Sequence, residues 1–349
     1  MSRAINQLAI TLQQNYSCPR SKPARTSAKM LKESDDLSWY ARKAARACGT
    51  APGAPPEPGQ VERLRELLER LRAAGIKGEA KSMTLFTRRL PPGCKPCLSG
   101  RGTNLYVTGL CTRDCFFCFN QKPRKDELVV HGIPVKEPEE AAAIVERFDL
   151  RSVGLSGGEP LMFPERVLRL IASLRAMKSP PRIDLYTNGD RSDEHLLRAL
   201  KATGLDSIRF DVVARDFDLA PVALAKTIFD EVAVEVPVVP EQLAALKKMC
   251  LELDRLGVPF LNIHELFLCA ENEGRVLAKG ETAKAGGESK HLLWRPTAQS
   301  LEACLELLLF ALEHCRRLSV YLCSCGTQEN ISKRGYRRRK RLSESSRSA

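Results

Sequence analysis

Three cysteines stand on one short stretch, Cys111-Thr-Arg-Asp-Cys115-Phe-Phe-Cys118, in a C-x3-C-x2-C spacing. Thiolates are soft ligands suited to iron–sulfur clusters or zinc, and a compact loop can bring all three to one site. Three ligands on a four-iron cube leave one iron open, and an open metal position is where a substrate or cofactor can coordinate. Alone, the spacing also fits a structural zinc site or unrelated buried thiols. Further along comes Ser156-Gly157-Gly158-Glu159-Pro160. Its two glycines let a backbone approach a ligand without side-chain clash, and Pro160 fixes the direction in which the chain leaves.

Other polar residues are unusual for their setting. Tyr186-Thr187-Asn188-Gly189 closes an apolar run and reads as a ligand edge or a plain Asn-Gly turn. Arg209, in Ile208-Arg209-Phe210-Asp211, offers a fixed cation that can hold a carboxylate bidentately. Asn262 and His264 share one face of a strand and Glu265 takes the other. Polar groups in a core strand are costly unless they bind something. Asn262 and His264 are therefore site candidates, with satisfied structural hydrogen bonds as the alternative, and Glu235 is a similar but weaker case. A second metal site is expected from Cys94-Lys-Pro-Cys97 with Cys323 and Cys325, since two tight pairs match a closed all-cysteine site for a 4Fe–4S cluster or zinc. Free thiols buried as small apolar residues are the competing reading.

The elements that must position these residues follow a simple alternation. From Asn104 onward, short β-branched runs alternate with amphipathic helical patterns, the signature of a parallel sheet built from βα units. Strands are predicted over 104–108, 152–155, 182–186, 207–212, 232–239 and 260–266. Helices are predicted near 137–148, 164–177, 193–202, 220–229, 241–256 and 297–318. This is an α/β layout, a partial (βα)6 TIM-like barrel, in which chemistry collects at the C-terminal strand ends. Both motifs fall there. Ahead of it, Gln60–Ala74 has Val61, Leu64, Leu67, Leu68 and Leu71 at helical spacing, preceded by the linker TAPGAPPEPG. The division expected is an irregular basic region over 1–59, a helical lead-in with the C-x2-C pair over 60–98, the barrel over 99–330 and a basic tail over 331–349.

Composition narrows the class. Of 349 residues 43% are apolar, enough for a large core, and no stretch approaches the length of a membrane span. Thirteen cysteines, an odd number at tight and uneven spacings, suit metal ligation in a reducing compartment better than a secreted disulfide framework. The cytoplasm is the expected location, although residues 1–32 carry six Lys/Arg and no Asp/Glu, as a transit peptide does. Much of the net charge of +13 sits there and in the 333–341 run. A solvated tail is the favoured reading over nucleic-acid contact.

The C-x3-C-x2-C loop followed by Gly-Gly-Glu-Pro, each after a predicted strand, resembles the radical S-adenosylmethionine superfamily. The resemblance implies a 4Fe–4S cluster on Cys111, Cys115 and Cys118, and S-adenosylmethionine cleaved reductively to methionine and a 5′-deoxyadenosyl radical. It implies hydrogen bonds from the Gly157, Gly158 and Glu159 edge to the methionine amino group, and Thr187 and Asn188 beside the ribose or carboxylate. It also implies an apolar cover from Phe116, Phe117 and Phe119, with Phe117 at the cofactor, and a flavodoxin- or ferredoxin-like electron donor. Thr187-Asn188-Gly189 looks like the corresponding turn of activating enzymes of the pyruvate formate-lyase type, which tend to have Asp where Tyr186 stands. Arg209 would replace a bound cation there. Over roughly residues 91–342 the chain resembles a group related to those activating enzymes. The substrate stays open between a glycyl-radical enzyme, RNA and a small molecule. A non-catalytic iron–sulfur or zinc module that recruits nucleic acid is the rival from another class.

Overall fold

Seven parallel strands make the frame among the residues described in this computed structural model, which are 30–31, 36–46, 58–280, 294–297 and 299–345. They are β3 (Gly102–Thr108), β6 (Ser152–Gly157), β7 (Arg182–Thr187), β8 (Ser207–Phe210), β9 (Val232–Val238), β10 (Phe260–Glu265) and β13 (Ser319–Cys323). Neighbours in that order pair in parallel. Hairpins flank the series: β1 (Lys77–Glu79) and β2 (Thr84–Phe86) beyond β13, and β4 (Leu128–Val130) and β5 (Ile133–Val135) beyond β3. A two-stranded ribbon, β11 (Phe267–Leu268) with β12 (Arg295–Pro296), follows β10. The result is an α/β partial TIM-like barrel.

The helices are α1 (Leu37–Arg46), α2 (Gln60–Ala73), α3 (Cys94–Leu98), α4 (Glu140–Arg147), α5 (Pro164–Arg175), α6 (Glu194–Thr203), α7 (Ala220–Lys226), α8 (Leu243–Arg255), α9 (Glu273–Leu277), α10 (Ser300–His314) and α11 (Cys325–Ser345). Their local chemistry is legible. In α5 a proline opens the first turn and Val167, Leu170, Ile171 and Leu174 form one buried stripe. Asp193 caps α6 by accepting from the Leu196 N–H, and Gly204 ends it at φ 107°. α2 buries Leu64, Leu67, Leu68 and Leu71 and packs on α1 and α10.

Two expectations change here. A seventh parallel strand, β13, follows α10, where the predicted helix ran to residue 318 and no further strand was expected. More consequentially, the 331–349 segment expected as a solvated tail lies largely within the helix α11. Arg334 donates to the Leu98 carbonyl, Arg338 pairs with Asp149, and the Arg339 guanidinium stacks 5.3 Å from the Phe148 ring while reaching the His131 carbonyl. Gly100 admits this helix, for a Cβ there would stand 2.7 Å from the backbone of Arg334 and Gly335. Charge density did not oppose packing, because the arginines find carbonyls, Asp149 and a ring. α3 lies against β3 while α11 touches both α3 and β13, so the two helices span from the last parallel strand to the first. Residues 1–29 and 47–57, with the basic N-terminal region and its linker, lie outside the described residues.

Candidate active site at the strand ends

The three-cysteine loop leaves the end of β3 and is tied down from several sides. Asn188, just past β7, donates from Nδ2 to Thr112 Oγ1 at 2.9 Å and to Cys111 Sγ at 3.8 Å. Asp190 accepts from Thr112 Oγ1 at 2.7 Å and from Arg113 Nε and Nη2 at 2.7 and 2.6 Å, and pairs with Arg215. The Arg113 hydrogen bond, foremost, holds the Asp190 carboxyl down at about 2. From the far side, Arg275 donates to the Cys115 carbonyl at 2.7 Å and the buried Asn272 to the Phe117 carbonyl at 2.9 Å. Asn120 closes the loop onto the Gly157 carbonyl at 2.6 Å. Cys111, Cys115 and Cys118 are half-buried.

The Gly-Gly-Glu-Pro edge packs against the backbone that enters the cysteine loop. Gly157 sits at φ 122°, and a Cβ on Gly158 would stand 1.9 Å from the Leu110 carbonyl oxygen. The glycines are required because β6 abuts the backbone that enters the cysteine loop. The Gly158 and Glu159 N–H groups donate to Thr108 O and Leu110 O. Glu159 is fully buried, and its carboxylate accepts from the Leu161 N–H at 3.0 Å, Thr187 Oγ1 at 2.8 Å and the Asn188 N–H at 2.7 Å. Burial pushes that carboxyl up, against the pull of the three donors. Glu159 is thus a clamp between β6 and the β7 turn, not a side chain presented to a cofactor. The Thr187 hydroxyl is equally committed, since it also accepts from the Gly189 N–H at 3.0 Å.

Arg209 corrects a second expectation. It is 1% exposed, bound to Asp184 Oδ2 and Glu235 Oε2 at 2.9 Å each, and lies over the Tyr186 ring. A doubly paired, buried guanidinium holds no external carboxylate. Glu235 is the hub of this interior network. Asn262 Nδ2 and His264 Nε2 each reach it at 2.8 Å. Burial raises its carboxyl, but the His264 hydrogen bond and the Arg209 charge win and leave it at about 2. Asn262 and His264 do share the inward face, while Glu265 turns away to accept from the Cys325 N–H at 2.7 Å.

Phe116 and Phe117 pack edge to face at 5.3 Å on Val239, Leu266, Leu268 and Val276. Phe119 is 56% exposed against Phe267, so it supplies no cover. Asp190, Asn272, Arg275 and Asp211 were not singled out in the sequence. Burial pushes the Asp211 carboxyl up to about 7, and it lies near His264 and Cys115. An Asp three residues after Thr187 is the one signal that local spacing held.

Cys94, Cys97 and Cys323 gather inside the barrel. Cys94 and Cys323 pack with Phe86, Leu90, Leu98 and Tyr321. Burial raises the Cys94 thiol to about 11 and the Cys97 thiol to about 12, with Cys94 adding to the latter. Burial, with Cys97 and Cys94 adding to it, raises the Cys323 thiol. Cys325 is buried beyond the strand end. Among the described residues no three His, Cys, Asp or Glu side chains stand at metal-holding distance, and this applies to Cys111, Cys115 and Cys118 as to the interior group.

Residues 105–228 match the model of the Radical SAM superfamily. That stretch is thus similar to radical S-adenosylmethionine domains. A Methanocaldococcus jannaschii protein provisionally named a glycyl-radical enzyme activating enzyme is 28% identical over 204 residues, covering 55% of this chain and 54% of the relative. The chain thus spans about half the length of that relative. Two crystal structures of Streptococcus suis SuiB also match, one bound to the precursor peptide SuiA at TM-score 0.38 and 14% identity, one of SuiB at 0.37 and 13%. Each covers 59% of this chain and 44% of SuiB. No helix among the described residues is long and apolar enough to cross a membrane.

Proposed function

We propose that Cys111, Cys115 and Cys118 hold a 4Fe–4S cluster and that the chain is a radical S-adenosylmethionine enzyme. When bound, the cluster and S-adenosylmethionine supply an electron to the sulfonium and a 5′-deoxyadenosyl radical that takes a hydrogen atom from a substrate. The donor set fits, since three half-buried thiols on one loop leave a cube one open iron. The protein's share is to hold that loop still. Asn188 and Asp190 pin Cys111 to Arg113, Asn272 and Arg275 pin Cys115 to Phe117, and Glu159 fixes the β7 turn that carries Asn188. Phe116 and Phe117 keep one wall dry. The observation that carries the reading is this tethering of the three-cysteine loop over the strand ends. Replacing any one of Cys111, Cys115 or Cys118 with Ala should abolish cleavage of S-adenosylmethionine after anaerobic reconstitution, and full activity in one variant would sink the assignment.

For the substrate, the name of the M. jannaschii relative favours a glycyl-radical enzyme. A flavodoxin- or ferredoxin-like protein would supply the electron, and the cytoplasm suits both. Incubation with a glycyl-radical enzyme from the same cell should then give a glycyl radical doublet by electron paramagnetic resonance. Docking of α11 weakens the RNA alternative, because Arg334, Arg338 and Arg339 are occupied within the fold. This reading leaves Cys94, Cys97 and Cys323 without a role.

A further inference from the structure

Inside the barrel, apart from the three-cysteine loop, the thiols of Cys94, Cys97 and Cys323 meet polar groups arranged around sulfur. Cys94 Sγ accepts from Asn262 Nδ2 at 3.6 Å and from Arg209 Nη1 at 3.8 Å. Both donors are buried, and each keeps one polar atom with no partner, Asn262 Oδ1 and Arg209 Nε. Unpaired buried polar atoms are rare, and two beside one thiol group call for an explanation.

The backbone is shaped to bring this group in. A Cβ on Gly93 would stand 2.0 Å from Asp184 Oδ2, and one on Gly102 would stand 2.8 Å from the Cys97 Cα. Glycines on both sides therefore let the Cys94–Cys97 turn press onto the buried Asp184–Arg209 pair on one side and onto β3 on the other. Cys323 arrives independently, as the last residue of β13.

We infer that Cys94, Cys97 and Cys323 hold a second iron–sulfur cluster inside the barrel, with one iron left free of protein ligands. The choice between zinc and a cluster follows from ligand count. A structural zinc site takes four protein ligands. The neighbouring side chains that could provide a fourth are already used: His264 binds Glu235 through Nε2 and Gln328 through Nδ1, and Glu235 is bound by Arg209, Asn262 and His264. A four-iron cube needs only the three thiolates and one outside ligand, the count proposed for the Cys111–Cys118 loop, and leaves His264 and Glu235 to their present partners. Hydrogen bonds to a ligating sulfur tune such a centre, and Arg209 and Asn262 provide two. Ligation by the three cysteines releases three thiol protons. Cys325, the fourth thiol the sequence suggested, is buried just past the end of β13 with its N–H on Glu265 Oε2.

The test is metal content in the full chain, reconstituted anaerobically with iron and sulfide, and needs no activity. The unsubstituted protein should hold about eight irons. The Cys111→Ala/Cys115→Ala/Cys118→Ala variant should keep about four, with acid-labile sulfide to match and a reducible paramagnetic signal. About four irons in the unsubstituted protein and none in the triple variant, or zinc in place of iron in the triple variant, overturns the proposal. Should the triple variant fail to fold, Cys94→Ser/Cys97→Ser decides: a fall by half supports the interior cluster, and unchanged iron refutes it. Failure of the loop cluster instead appears as an unsubstituted protein whose iron the triple variant does not lower.

Discussion

Replacing Asp190 with Asn keeps the side chain's shape and removes the charge that ties the three-cysteine loop to the β7 turn. Asp190 is bound by Thr112, Arg113 and Arg215, and these contacts lower its carboxyl from 3.8 to about 2. At 1.36 kcal/mol per unit the fall corresponds to about 2.4 kcal/mol. The Arg113 side chain is 37% exposed, so solvent screening reduces the expected contribution to about 1–2 kcal/mol. A depressed carboxylate stabilises the fold above its unfolded pKa and loses that stabilisation as pH falls through the folded value. Urea unfolding of the metal-free protein and Asp190→Asn should therefore differ by about 1–2 kcal/mol at pH 7 and pH 5, with the gap roughly halved at pH 3. No gap at pH 7, or one constant from pH 7 to pH 3, would refute the anchoring argument.

Two further substitutions and a deletion probe these roles. Glu159→Gln turns one acceptor oxygen into a donor facing a backbone N–H, and should cost about 1–3 kcal/mol in urea unfolding; a variant as stable as the parent would deny the clamp. Arg209→Met removes the buried cation shared by Asp184 and Glu235, with an expected loss of about 3–5 kcal/mol. Whatever folds should bind S-adenosylmethionine with unchanged Kd, and a tenfold weaker Kd would restore a direct carboxylate contact. Deleting residues 333–349 should lower the thermal midpoint, since it removes the Arg334, Arg338 and Arg339 contacts; an unaltered midpoint would return the segment to a tail.

The barrel was legible because its strands are β-branched runs set between amphipathic stripes, and the six predicted strands begin within two residues of those found. The seventh was missed since only the short 315–318 connection separates the helix α10 from Ser319–Cys323, and the predicted helix was carried through it to Leu318. The two motifs were placed correctly at strand ends. Spacing could not show, however, whether a polar side chain faces a ligand or another strand. Glu159 and Arg209 are paired across β6–β7 and β7–β9, contacts between residues far apart in sequence. The α11 helix was hidden by its charge, which its partners on other elements neutralise or accept.

The central claim concerns cofactor chemistry at the three-cysteine loop. Anaerobically reconstituted protein, reduced with dithionite in the presence of S-adenosylmethionine, should release 5′-deoxyadenosine and methionine in equal amounts. Iron-loaded protein that releases neither would contradict the account.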